Sequence, residues 1–247
     1  MRTVLLIVLL ALAGCVTTGG NTIDKSKMAE GYFDKGLSYF QQNNLELASV
    51  EFNRSIQKDS SFKLSYYYLG IISDMRGMYE DSIKYYKKAI SLDDKFSEAY
   101  NALGVVYSKQ QKWDEAIKNY QKALQNKLYT TPHVPYLNMG RVYMAQKDYP
   151  KAVEAYRSAK QYANQDFIVL ELAGALSEEG KNKEAISEYL EGVDMAPQNA
   201  DMRYGLALAY LKDGNKKSAV QEFKKVVELA PKSDLAIKAN DYLKTLR

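Results

Sequence analysis

Apolar and polar positions along most of this chain follow a helical rhythm. The clearest stretch runs Tyr100, Leu103, Gly104, Tyr107, then Trp113, Ala116, Tyr120, Ala123. Spacings of three and four residues mark one face of an α-helix, so the stretch predicts two short helices joined by a turn. The same pair recurs six times from residue ~29 to ~231. A small residue opens each second helix at Ala48, Ser82, Ala116, Ala152, Ala185 and Ala219, in steps of 34, 34, 36, 33 and 34. Four positions on stands an aromatic: Phe52, Tyr86, Tyr120, Tyr156, Tyr189, Phe223. Twelve positions before each opening residue stands another small one: Gly36, Gly70, Gly104, Gly140, Ala173, Ala207. A fixed period of this length predicts stacked helical hairpins, with small residues allowing close approach and the aromatic filling the space between hairpins. Gly77, Gly180 and Gly214 fall where the first helix must turn. Pro197 and Pro231 close the last two copies.

The pattern resembles the tetratricopeptide repeat, and six copies agree in phase. The resemblance implies an all-α, right-handed solenoid of six repeats over residues 27–232. Copy one departs with Lys35 where leucine is usual, and copy two with Ser73 and Ser82 for Tyr and Ala. Copy three carries two extra residues around Tyr129-Thr130-Thr131-Pro132, which predicts a local irregularity in the stack. Copy four has Pro150 at the entry to its second helix, where a first turn tolerates it. Leu235, Ala236, Ala239, Tyr242, Leu243 and Leu246 fall at helical spacing in 233–247 and predict a capping helix. Most of the 21 tyrosines occupy repeat positions and are expected to pack rather than to form a stacking platform.

Ahead of the repeats, Arg2 precedes an apolar run from Val4 to Ala13. The run is too short for a bilayer span, which needs roughly 20 residues, and has the layout of a secretory signal over 1–14. Its end, Leu12-Ala13-Gly14-Cys15, resembles a bacterial lipobox, implying cleavage before Cys15 and lipid (such as palmitate) on it. Each buried methylene contributes ~0.8 kcal/mol, so two or more acyl chains anchor stably. For a Gram-negative source, the absence of Asp after the cysteine resembles cargo of the outer membrane, on its periplasmic face. Residues 15–26 are polar with paired glycines and read as the lipidated N-terminus and a flexible tether, reaching ~35 Å if extended.

Charge and chemistry narrow the function further. The net charge is +4, with both signs interspersed, so no basic block predicts a nucleic-acid partner. One histidine, His133, and one cysteine cannot build a metal cluster. Neither a nucleophile–base grouping nor a phosphate loop is present, so no cofactor and no enzymatic activity are expected. The chain is expected to be monomeric in isolation and to act by binding protein.

In the tetratricopeptide family the first helix of each hairpin lines a concave groove, through the second, fifth, ninth, twelfth and thirteenth positions. By register the apolar part of the groove is Phe33, Leu37 and Phe40 in copy one and Leu64, Tyr67, Ile71 and Met75 in copy two. With Tyr32, Gly36 and Tyr39 on its other side, the first helix reads as apolar nearly all round, and no preceding repeat covers it. A charged residue at Phe33 or Leu37 is therefore expected to weaken binding without unfolding the array. Where co-chaperone repeats hold a carboxylate with Lys and Asn, Phe33 and Leu37 stand instead, which favours an apolar helix or extended segment as ligand.

Lipobox, tether, six repeats and capping helix together resemble the pilotin lipoproteins of type IV pilus biogenesis. That resemblance implies an outer-membrane lipoprotein that binds secretin subunits and promotes their localisation and assembly. The alternatives are a general envelope adaptor, serving β-barrel assembly or recruitment of peptidoglycan hydrolases, and a non-catalytic subunit of a polysaccharide pathway.

Overall fold

The computed structural model describes residues 19–246, with side chains from Asp24 onward. Among the described residues there are thirteen α-helices and no strand. Six hairpins follow one another: α1 (Gly19–Gln41) with α2 (Leu45–Lys58), α3 (Lys63–Met75) with α4 (Tyr79–Leu92), and α5 (Ser97–Lys109) with α6 (Trp113–Ala123). Then come α7 (His133–Ala145) with α8 (Tyr149–Tyr162), α9 (Asp166–Glu179) with α10 (Asn182–Met195), and α11 (Ala200–Lys212) with α12 (Lys216–Leu229). Each helix packs on its hairpin partner and on the next hairpin in line, and α13 (Asp234–Thr245) packs on α12. This is the all-helical solenoid of tetratricopeptide repeats that the period predicts.

The aromatic of each second helix packs where the spacing places it. A Cβ at Gly36, Gly70, Gly104 or Gly140 would lie 2.7, 2.6, 2.6 or 2.4 Å from the ring of Phe52, Tyr86, Tyr120 or Tyr156. Those rings are essentially inaccessible, so the glycines are the cradles that admit them. Copies five and six carry alanine instead. Tyr189 leans on Gly205 of the following helix, and Phe223 stacks on Tyr242 of α13 at 4.8 Å and 4°.

The turn inside each hairpin has one conformation throughout. Asn43, Gly77, Gln111, Lys147, Gly180 and Gly214 all have φ between 58° and 86°, in the left-handed region. Glycine enters this region without penalty. Gln111 and Lys147 hold it because the flanking helices are fixed by packing. Pro150 sits in the first turn of α8, which Asp148 caps. The buried hydroxyls of copies two and three are satisfied: Ser82 donates to the Gly70 carbonyl at 2.9 Å and Ser97 to the Ala123 carbonyl at 2.8 Å.

Two expectations at the N-terminal end need correction. Gly19–Ser26, read as part of the tether, forms the first turns of α1. No proline interrupts the run up to Gln41, and extending a formed helix adds one hydrogen bond for each residue fixed. The lipidation and signal features at 1–15 lie outside the described residues. Second, α1 is not apolar all round. Glu30, Asp34, Ser38 and Gln41 are exposed at helical spacing and give it a solvated stripe. Lys35 takes the position filled in later copies by buried Leu69, Leu103, Met139, Leu172 and Leu206, residues that pack on the preceding hairpin. Among the described residues copy one has no such neighbour. Lys35 instead reaches Glu51 of α2 at 3.1 Å, and Arg54 meets the same carboxylate at 2.8 Å.

Candidate groove on the first helices of copies one to three

Six of the seven sequence-derived groove residues, all but Met75, pack in adjoining apolar clusters, though not with one degree of exposure. Phe33 is only 8 % exposed. Its ring lies 5.3 Å from Phe62, 5.5 Å from Tyr68 and 5.6 Å from Phe52. Copy two therefore covers it, and Phe33 belongs to the core that joins the first two hairpins. Leu37 and Phe40 are half-buried beside it, Phe40 meeting Tyr68 edge-on at 5.3 Å. On α3, Leu64, Tyr67 and Ile71 are also half-buried, whereas Met75 is 56 % exposed. Partly exposed apolar side chains on successive first helices are the surface a partner can cover.

Aromatic contacts tie the strip together. Tyr67 lies 5.5 Å from Tyr68, 5.9 Å from Tyr86 and 5.1 Å from Phe96. Burial, with Glu98 adding to it, pushes the Tyr67 hydroxyl up to about 12, so it remains a neutral hydrogen-bonding group near neutral pH. Sequence reasoning overlooked Phe62, Tyr68 and Phe96. Phe62 and Phe96 stand at the N-caps of α3 and α5, without a side-chain cap bond, and are 34 residues apart. That recurrence is the signal that could have found them.

From α3 onward, ion pairs also tie successive first helices to one another. Lys109 of α5 bonds both carboxylate oxygens of Asp74 of α3 at 2.7 Å. Arg141 of α7 reaches Glu171 of α9 at 2.9 Å, and Tyr156 donates to the same carboxylate at 3.3 Å. Lys212 of α11 holds Glu178 at 3.1 Å and the Ser177 carbonyl at 3.0 Å. Exposed pairs of this kind contribute little individually. They do fix each first helix to the next, and they occupy charges a partner would otherwise meet. Among the described residues no group of three or more His, Cys, Asp or Glu side chains is placed to hold a metal ion. No described helix is long and apolar enough to cross a membrane.

Comparisons with known proteins agree with the geometry. Tetratricopeptide-repeat family profiles match residues 96–165 and 170–234, and a further TPR-repeat profile matches residues 76–111. The comparison with curated proteins gave no match. Among solved structures, Pseudomonas aeruginosa PilF is 21% identical, with a TM-score of 0.75 over 88% of this chain and 99% of that one. PilW, described as a widely conserved type IV pilus biogenesis factor, is 17% identical, with a TM-score of 0.73 over 86% of this chain and 98% of that one. YrrB, described as a TPR protein with an unusual peptide-binding site, is 22% identical, with a TM-score of 0.65 over 77% of this chain and 97% of that one. Identities this low establish the fold alone. Period, hairpin geometry and matched profiles together place the chain in the tetratricopeptide-repeat family.

Proposed function

We propose that this protein is an envelope adaptor, lipid-anchored through Cys15 at the periplasmic face of the outer membrane. It binds secretin subunits of a type IV pilus system and promotes their assembly. The observation that supports this reading is the apolar strip formed by Leu37, Phe40, Leu64, Tyr67, Ile71 and Met75 on the groove side of α1 and α3, with Phe33 beneath it. An apolar segment of a partner, helical or extended, covers such a strip and gains roughly 25 cal/mol for each Å² of apolar surface removed from water. The lipid supplies location, and tethering raises the local concentration of captured subunits. PilF and PilW share the repeat architecture, and PilW is a type IV pilus biogenesis factor, which gives this reading precedence over a general adaptor.

The test is capture of partners from native envelope by the form beginning at Val16, with Leu37→Glu and Ile71→Glu as controls. Recovery of a secretin by the parent and its loss in both variants supports the proposal. Recovery of a β-barrel assembly factor or a peptidoglycan hydrolase without secretin replaces it with the general adaptor reading.

A further inference from the structure

The connection between α6 and α7 runs through residues 124–132, where other hairpins are joined by residues 59–62, 93–96, 163–165 and 196–199. The longer loop is anchored. The Asn126 side-chain amide donates to the Lys95 carbonyl at 3.1 Å, and its oxygen accepts the Leu128 N–H at 3.0 Å. These bonds pin the loop to the turn between α4 and α5. Leu128 is left 87 % exposed, while Tyr129 is half-buried.

A cleft of about 510 Å³ opens between that turn, the end of α6 and the loop, a size ordinary for ligand-binding clefts. Lys95, Lys122 and Lys127 line it, one from each of these three segments, together with Asp94, Tyr100 and Leu128. All three lysines are exposed, and none takes part in an ion pair among the described residues. The Lys122 ammonium donates to the amide oxygen of Gln125 at 3.2 Å, a partner that carries no charge. Three ammonium groups thus share the cleft with one carboxylate, that of Asp94. The adjoining cleft differs, because there Lys63 and Lys95 stand with Asp93 and Glu98 and the charges balance. Along the first helices Lys109, Arg141 and Lys212 are each neutralised by a carboxylate. Like charges gathered in one concavity raise the local potential and attract an anion.

We propose that this cleft receives the carboxylates of an acidic stretch in the partner segment whose apolar part lies over Leu64 and Tyr67. Lys95 and Asn126 line both clefts, so a segment lying on α3 passes directly from apolar to basic surface. Three ammonium groups on separate stretches of backbone suit singly charged groups in succession along a chain better than one compact anion. Each ammonium–carboxylate hydrogen bond is charge-assisted and stronger than its neutral counterpart. Because the lysines are exposed, the bonds govern specificity and the rate of encounter more than affinity. The subsite rests on the reading that the groove takes a partner segment, and adds an acidic flank to the apolar requirement.

The probes are the capped hexapeptides Leu-Ile-Leu-Glu-Glu-Glu and Leu-Ile-Leu-Gln-Gln-Gln, titrated into ¹⁵N-labelled protein beginning at Val16, with inorganic phosphate as a third arm. The acidic peptide is expected to shift the amides of Leu64, Tyr67, Lys95 and Lys127 together. Its affinity should exceed that of the glutamine peptide by about tenfold, and added salt should remove most of the difference. Lys122→Gln combined with Lys127→Gln should abolish the preference. Lys84→Gln combined with Lys118→Gln removes the same charge from exposed positions outside the cleft and should preserve it. Circular dichroism checks the fold of both double variants. Equal affinity for the two peptides, a preference that survives in the cleft variant, or equal loss in the two double variants overturns the subsite. Phosphate shifting Lys127 as strongly as the acidic peptide also overturns it, in favour of a site for free anions. Shifts at Leu64 and Tyr67 without a response at Lys95 and Lys127 leave the groove reading standing and remove the subsite alone. Shifts at neither place remove both.

Discussion

The ring of Tyr189 rests on Gly205 of the following helix, whereas its counterparts in copies one to four rest on the preceding helix of their own hairpin. A Cβ at Gly205 would lie 2.4 Å from it. Ala173 stands where the earlier copies have glycine, and its methyl group fills the cradle. Gly205→Ala should therefore displace the ring and destabilise the fifth and sixth hairpins by about 1–3 kcal/mol, the usual cost of overpacking. Urea unfolding of the variant measures this. A loss as large at Gly174, where Tyr189 is no nearer than 3.9 Å, would show that the cause is not the ring contact.

The left-handed turn residues offer the opposite change. Gln111 and Lys147 adopt φ of 58° and 60° with a side chain present. An L-residue there costs roughly 1–2 kcal/mol, partly offset by the greater chain entropy that glycine loses on folding. Gln111→Gly and Lys147→Gly should each stabilise the array by about 0.5–1 kcal/mol. Thermal unfolding should show a raised Tm for both and a lowered one for Gly77→Ala.

Phe33 and Met75 should part company in mutagenesis. Phe33→Ala removes a ring packed among three others and should cost about 3–5 kcal/mol. Met75→Ala removes a side chain that is 56 % exposed and should leave stability within about 0.5 kcal/mol. Partner capture should fall with Met75→Glu while circular dichroism stays unchanged. Equal stability of the two alanine variants would argue against the burial described for Phe33.

Acid should loosen the junction of copies four and five. Lys160 of α8 bonds Glu188 and Glu191 of α10 at 2.7 Å, and Asn164 adds a bond to Glu191. The hydrogen bond from Lys160, followed by that from Asn164, holds the Glu191 carboxyl below its ordinary value of 4.5. A lowered carboxyl contributes stability that is fully present above the unfolded value and is lost as pH falls through the folded one. Stability should thus be flat from neutral pH down to about 5 and decline below about 4.5. Lys160→Met should flatten that decline. Amide exchange at α8 and α10 reads it locally.

The solenoid was legible because its determinants are local and repeated. Gly70 with Tyr86, or Gly104 with Tyr120, names both partners of a contact sixteen residues apart. The exposure of the groove was less legible, because it depends on neighbours outside each copy. Phe33 stands at a groove register, yet Phe62 and Tyr68 of the next hairpin close over it. The polar stripe through Glu30, Asp34, Ser38 and Gln41 was readable from spacing alone, since it follows the same three- and four-residue steps as the aromatic residues. The partial burial of Tyr129 could not be read, since the bond that anchors its loop, from the Asn126 side-chain amide to the Lys95 carbonyl, joins segments 31 residues apart.

A stack of near-identical modules has no internal reason to stop, and an exposed first helix is a natural seat for the last helix of another molecule. Lys35 makes that route costly. A newcomer settling on α1 would have to bury the ammonium, strip its water and crowd the carboxylate it shares with Arg54, where each later copy offers leucine or methionine. End-to-end association through α1 would therefore carry a desolvation penalty that the junctions between successive copies do not.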